Sequence, residues 1–559
     1  MKPDIRWQAL LALAGLALVL MLLSYQVQSA ALCSVTVPAT GGTFVEGIVG
    51  HPSSLNPLLS DPYPVDRELT NLIFDGLVSF DETGQVIPAL AENWSVSEDG
   101  LTITFELREG LKWHDGQPVS AEDVAFTYGL IQNEDYPGPV ALKEFWQSVV
   151  IDVQDERTIK FTLPQPYSPF FEAVTRGILP SHKLEGVDVA ELATNSFNQL
   201  PVGTGPFVVQ PGQDWQTTGR LRLTPNPSYW RGGTQIADLE FRFFATDDDL
   251  LAAFLRGEIQ AINQISPNEF LEIAAEPSAR VFTSASPRYS SLFFNLGEAG
   301  HIALKSKEVR QAIAYGIDRE SLINKVLSGQ GIVFEGPYLP NTWPSRPDLL
   351  TQYSYQPETS AALLDSAGWV GGDTRSREGQ PLTLRLVALD NSEQAAVANE
   401  IIEQLAGLGI DVQLTQISDP VILHQTLSEQ NFDIALVEVA APDDPDLYDF
   451  WSQEAMISGQ NFSRWNNRRA SEALEAGRQV FSQGERATYY ESFQRQFDAD
   501  LPAFSLYQHV SIYVLSDNVN QAEIGRVWQP RDRYNTLPNW YLNFRDVTVN
   551  CQMGAADLE

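Results

Sequence analysis

Cysteine is almost missing from this chain: Cys33 and Cys551 are the only two in 559 residues. One disulfide between them is open, tying the ends of the mature chain, and so are lipidation of Cys33 and free thiols. Histidine is scarce as well, and His51, His114, His182, His301, His424 and His509 stand apart without ligand-like spacing. That gives no basis for a structural zinc site, and no metal or cofactor is expected. Positive charge is short, with 36 Lys plus Arg against 72 Asp plus Glu and a formal charge of -36. Such a surface repels nucleic acid, whose phosphates need cationic partners. The same field mildly favours a cationic ligand and also serves solubility. No Gly-x-Ser-x-Gly run and no carboxylate pair is recognisable by spacing, so no hydrolase signature is present, although a pair can still form in space. Internal repeats and long Gly/Ser/Pro connectors are absent too, which argues for lobes joined by short crossings.

One long hydrophobic run is present. Lys2 and Arg6 precede the apolar stretch Leu10–Leu23, and small residues follow through Ala31. Basic, apolar and small-residue regions in that order read as an export signal. The run is near the lower limit for a membrane span, so a retained anchor is the alternative. Leu32 stands before Cys33, where lipoprotein processing wants a small residue. The remainder, in a chain 43% hydrophobic and 19% charged, suits two or three folded domains.

The stretch Pro88–Tyr128 has the sharpest local code. Leu101, Ile103, Phe105 and Leu107 alternate with polar residues after the turn Glu98-Asp99-Gly100, a strand with one buried face. Trp113-His114-Asp115-Gly116-Gln117-Pro118 then leads to a helix start. Ser120 is the expected cap, Asp123 faces the positive end of the dipole, and Val119 and Val124 take the staple positions. Downstream, Gly203-Thr204-Gly205-Pro206-Phe207 demands a tight turn and lacks the Lys-Ser/Thr ending of a phosphate loop. Val309–Arg319 is a helix with Ile313 and Ile317 on its apolar face. Residues 357–436 alternate helix and strand in an α/β unit. Pro502–Tyr507 and Val510–Leu515 read as two late strands returning to the first lobe.

These phrases carry a resemblance. The signature stretch, the Gly-Thr-Gly-Pro-Phe turn, Asn226-Pro227-Ser228-Tyr229-Trp230 and Val309–Arg319 occur in the order found in the extracytoplasmic solute-binding proteins of ATP-binding-cassette importers, family 5, which serve peptide, dipeptide and nickel uptake. The resemblance implies an α/β, two-lobed, type II periplasmic-binding-protein fold with mixed sheets and an extra subdomain on the N-terminal lobe. The expected division is 1–31 export signal or anchor; 32–76, 197–283 and 500–559 lobe I; 77–196 its subdomain; and 284–499 lobe II. It implies no enzymatic activity, closure on a ligand, a likeness to monomeric receptors, and a permease and ATPase complex as partner at an extracytoplasmic, periplasmic or cell-surface site.

In peptide-binding members, the segment after a Phe-Asp strand supplies an aspartate for the peptide's amino group. Here that strand is Phe432–Val437, and the matching position is Ala441, which has no charge. Glu438, Asp443 and Asp444 are the candidate replacements, against a purely structural turn at Pro442–Pro445. Tyr289 and Trp451 are candidate aromatic walls, against ordinary packing. A peptide or similar small solute is the leading cargo. An oligosaccharide or chelated nickel, a receptor-linked sensor and a secreted hydrolase are the alternatives.

Overall fold

A computed structural model describes residues 4–30, 32–61, 63–81, 83–267 and 269–550. Alternation in the chain becomes alternation in space. Within Thr102–Leu107, Ile103, Phe105 and Leu107 are buried while the residues between them are partly exposed. This strand lies second in a four-stranded antiparallel sheet ordered Ala91–Val96, Thr102–Leu107, Thr158–Thr162, Val150–Val153. The helix Ala121–Gln132 covers it, and its Tyr128 stacks on Trp146 at 3.9 Å between ring centres. The helix ends five residues before Pro137, which could not continue its hydrogen-bond ladder.

The main sheet has eleven strands among the described residues. Its order runs Asp411–Ile417, Thr383–Leu389, Ile434–Ala440, Ala279–Phe294, Ala503–Ser516, Ala261–Ile262, Thr43–Val49, Asp238–Phe244, Arg220–Pro225, Phe207–Val209, with Gly331–Ile332 paired to one side. The α/β unit expected at 357–436 forms the first three strands, parallel to one another as their helical crossovers require. Leu239–Phe243 lies inside the sheet, between Thr43–Val49 and Arg220–Pro225, with no free edge.

Two long strands at the centre join the halves. Ala279–Phe294 and Ala503–Ser516 run antiparallel, and each contributes to both lobes. The expectation of two separate late strands is therefore corrected to one. Gln508 and His509 read as a polar break, but they pair with Ile332 and Gly331 and continue the strand. What does break is the register, between Ala285 and Tyr289 and again between Ser290 and Ser291. A bulge bends and twists a strand locally, and this one sits where the chain passes from one lobe to the other.

One hydrophobic core gathers Phe44, Leu72, Phe105, Trp113, Trp146 and Phe161 in the first lobe with its four-stranded sheet. Others gather Leu292, Ile313, Ile317 and Leu384, or Phe293, Trp451, Trp465 and Phe497, in the second. The chain is thus a two-lobed mixed α/β protein. The Gly203–Phe207 turn explains its own composition: a Cβ on Gly203 would lie 1.9 Å from the Ile73 carbonyl oxygen.

Both ends of the main body meet. Leu32–Ala39 pairs antiparallel with Asn543–Asn550 along eight positions. Cys551 and the side chain of Cys33 lie outside the described residues, and so does the pairing expected of them. The N-terminal helix Asp4–Ala30 contains a 20-residue stretch, Trp7–Gln26, of mean hydropathy 2.1, exposed throughout and long enough to cross a bilayer.

Candidate ligand-binding cleft

Proline and glycine fix the chain in two loops that face each other across the lobes. On the second lobe, Gly336–Pro344 and Ala441–Pro445 alternate turn residues with aromatic or acidic ones. Opposite stand Gly84, from the first lobe's hairpin, and Trp528, from the C-terminal segment. Together they line a cavity whose main walls are Tyr289, Tyr338, Trp343, Ala441, Asp443 and Trp528. It holds about 30 Å³, space for about two water molecules and too little for a peptide. Anything larger enters only if the lobes part or the walls move. Two larger hollows, of about 400 and 730 Å³, are lined by the second lobe alone and do not involve the seam.

The lobes are held shut by specific contacts. Asp443 Oδ1 accepts from Trp528 Nε1 at 3.1 Å and from Gln529 Nε2 at 2.6 Å. The Asp444 amide donates to Glu172 Oε2 at 3.2 Å, and the Ser168 amide donates to the Arg478 carbonyl at 2.7 Å. The Arg478 guanidinium lies over Tyr167 from the first lobe and over Tyr448 from the second.

Charge at this seam is unevenly matched. Asp444 takes both nitrogens of Arg486, at 2.6 and 2.8 Å, a bidentate buried pair. Asp446 pairs with Arg478 at 2.6 Å, yet burial still pushes its carboxyl up to about 6. Burial raises Asp443 also, opposed by Gln529 and Arg531. Glu172 lies well above the ordinary carboxylate range, through burial first and then through the charges of Asp443 and Asp444.

The expected site residues scatter. Asp443, Tyr289 and the uncharged Ala441 line the cavity. Ala441 hangs from the lobe crossing, its amide donating to the Pro287 carbonyl at 2.7 Å. Asp444 stands behind the wall on Arg486. Trp451 is stacked on Phe293 at 5.1 Å, with Phe497 at its edge, so its ring is spent on the core. Glu438 sits beside the bulge, bonded to Arg288 at 2.9 Å. Trp343, Tyr338, Trp528 and Glu172 were not anticipated. The Gly336–Pro344 run, rich in proline and aromatics, is the signal that could have exposed the first two; nothing local marks Trp528 or Glu172.

Space also assembles what spacing could not show. Ser290 Oγ lies 3.0 Å from His509 Nε2, and His509 Nδ1 lies 3.4 Å from Glu393 Oε1. The order imitates a serine nucleophile with its base and carboxylate. Ser290 is 0% exposed, however, and lines none of the three cavities above. Burial lowers His509 to about 4. These groups brace the register break, and the serine offers no surface to a substrate.

The family model for bacterial extracellular solute-binding proteins, family 5 (middle), matches residues 85–456. The chain is 26% identical over 526 residues to the oligopeptide-binding protein AppA of Bacillus subtilis (strain 168), covering 92% of this chain and 94% of that one. With Protein XP55 of Streptomyces lividans it shares 30% identity over 491 residues, covering 85% and 84%. Among solved structures, the ABC transporter substrate-binding protein CtaP of Listeria monocytogenes matches with a TM-score of 0.77 at 24% identity, covering 90% of this chain and 99% of that one. NikZ of Campylobacter jejuni, solved in complex with Ni(L-His), matches with a TM-score of 0.71 at 23% identity, covering 89% and 99%. The structural likenesses speak for the two-lobed fold.

Proposed function

The chain belongs to the bacterial extracellular solute-binding proteins, family 5, and from that premise we propose that it captures a peptide or similar small solute between its lobes and delivers it to the permease and ATPase of an importer. Membership makes it a binding protein and not an enzyme. The observation that carries the reading is the cavity lined from both lobes by aromatic side chains and one carboxylate, Asp443. A ligand touching both lobes shifts the equilibrium toward closure by as much as it prefers the closed form. Parting then takes place at the register break of the two crossing strands.

In this reading Asp443 and Tyr289 meet the cargo. Asp444, Glu438 and Trp451 act from behind, through Arg486, the lobe crossing and the core. Residues 32–76, 197–283 and 500–559 form lobe I in this reading, with 77–196 riding on it, and 284–499 form lobe II, while the 503–507 end of the crossing strand packs in the core of lobe II. The receptor works as a monomer outside the cytoplasm, and its N-terminal helix serves as export signal or anchor. The mass of the N-terminal peptide of the purified protein distinguishes those two, and a thiol titration tests the Cys33–Cys551 bridge. Mass spectrometry of whatever co-purifies, followed by calorimetry with that class, tests the cargo. Di- to pentapeptides are expected to give saturable heat. A saccharide or metal chelate binding tightly while peptides leave the trace flat would defeat the peptide assignment.

A further inference from the structure

Phe481 is a second-lobe side chain packed on the first-lobe core. It stands in the short turn between helices Arg468–Arg478 and Gln483–Asp500, whose Leu474, Tyr490 and Phe493 build the second-lobe core. The Phe481 ring leaves that core and lies against the first, meeting Phe171 edge to face at 6.1 Å between ring centres. Gly100 supplies the floor of this seat. It ends the Glu98-Asp99-Gly100 turn between two strands of the four-stranded sheet. Its φ is +69°, and a Cβ there would lie 3.3 Å from Phe481 and 3.0 Å from Pro166, so backbone and space both favour glycine. The seat is clamped beside the ring. Arg478 closes its helix, where carbonyls lack intrahelical donors. Its carbonyl accepts instead from the Ser168 amide at 2.7 Å and the Ser168 hydroxyl at 3.1 Å. Its guanidinium lies 5.0 Å from the Tyr167 ring centre, held from its own lobe by Asp446. None of Gly100, Pro166, Ser168, Phe171 and Phe481 lines the interlobe cavity.

We propose that Phe481 is the plug of a latch between the lobes, seated in a socket made by Gly100, Pro166 and Phe171 with Ser168 clamping the Arg478 carbonyl beside it, and that this latch sets how readily the receptor closes whatever its cargo. This rests on the solute-capture reading and adds to it an affinity-setting element outside the cargo site. Opening the lobes returns the Phe481 ring to water, and burying it again favours closure through apolar area. The Ser168 bonds contribute less, because water takes both partners when the lobes part. Their directionality fixes where the plug seats. Since the plug and its socket lie outside the cavity lining, they add the same free energy of closure for every cargo. Apparent affinity then scales with the closed fraction, and choice among cargoes stays with the cavity walls. The Glu98-Asp99-Gly100 turn thereby acts in transport without lining the cavity.

Hydrogen exchange on the full, cargo-free protein tests the latch. The Ser168 amide is bonded across the lobes, so its exchange follows the opening of the seam. Phe481→Ala is expected to speed that exchange about tenfold, the worth of a largely buried phenyl ring, while the amides of Thr102–Leu107 stay within about twofold. Gly100→Ala pushes a methyl into the seat. It should speed the Ser168 amide about fivefold in the wild type and less than about twofold in Phe481→Ala, since the two changes act on one contact. Melting curves establish that each variant is folded. Calorimetry with tri-alanine and penta-alanine completes the test: Phe481→Ala should weaken both by one common factor of about threefold to tenfold. Where these peptides give no heat, the solutes released from the purified protein take their place. Unaltered Ser168 exchange in folded Phe481→Ala overturns the proposal. So does a speeding shared by Thr102–Leu107, which would make Phe481 a packing residue of the first lobe alone. Unaltered affinity, or a loss differing more than about threefold between cargoes, overturns it too; in each of these cases solute capture still stands. Absence of any bound solute and of heat with every class overturns solute capture itself, and this inference with it.

Discussion

Two polar networks in this protein are built from similar residues and end in opposite states. Around the signature stretch, Asp123 accepts from the Ser120 and Ser181 amides, each at 3.0 Å, from the Ser181 hydroxyl at 2.7 Å and from Trp113 Nε1 at 3.3 Å. His114 accepts from the Gly203 amide at 3.1 Å and donates to the Gly205 carbonyl at 3.0 Å, pinning the glycine turn. Each group has its partners, and the partners are neutral and local to one lobe. In the cleft, Glu172, Asp443, Asp444 and Asp446 meet across two lobes with fewer cations than carboxylates. A satisfied network rigidifies a scaffold; an under-compensated one stores a preference for something that is not protein.

The contrast is sharpened most by Asp123→Ala. It takes the acceptor from four donors, the buried Trp113 Nε1 and the partly buried Ser120 and Ser181 groups, and should cost about 4 kcal/mol in denaturant unfolding, with cargo affinity of the folded fraction unchanged. An equal loss of affinity would erase the distinction between scaffold and site.

Acid offers a second, smaller separation. Burial lowers His114 to about 4 from an ordinary 6.5, so the unfolded chain binds the proton first as pH falls. The stabilisation is complete above about pH 6.5 and drains away toward pH 4, by about 2–3 kcal/mol. His509 titrates in the same window, so the measurement is the difference between wild type and His114→Asn in stability against pH. Parallel curves would show that the imidazole does not stay neutral in the folded turn.

The smallest stability effect is expected in the cleft. Asp443→Ala leaves Trp528 Nε1 and Gln529 to find water at the seam, a cost of about 1 kcal/mol in unfolding, while also removing repulsion from Glu172. Its cargo affinity should nonetheless fall about tenfold or more. A large stability loss with normal affinity would place Asp443 with the scaffold.

The same contrast explains which parts were readable in advance. The strand, capped helix and glycine turn are each coded within a few residues, and the Ser120 amide does reach Asp123 as the cap spacing requires. The α/β unit at 357–436 was legible for the same reason, since short crossovers fix parallel neighbours. The late strand was misread because Gln508 and His509 look like solvent-facing residues; inside the lobe crossing, Gln508 instead donates to the Ser286 carbonyl at 2.8 Å. Trp451 has the composition of a binding wall and the environment of a core. Glu172 and Trp528 lie far from Asp443 in sequence, and no periodicity connects them.

By itself, then, the sequence determined the family and, through the resemblance of its phrases to that family's, the two-lobed class of fold, because each phrase is coded within a few neighbouring residues. Only the tertiary structure decided which acid faces the cavity, which is tied to an arginine, and which carboxyl of the opposite lobe is left without a cation. Those are differences of a few ångströms between groups hundreds of residues apart, and they are set by how the two crossing strands bring the lobes together.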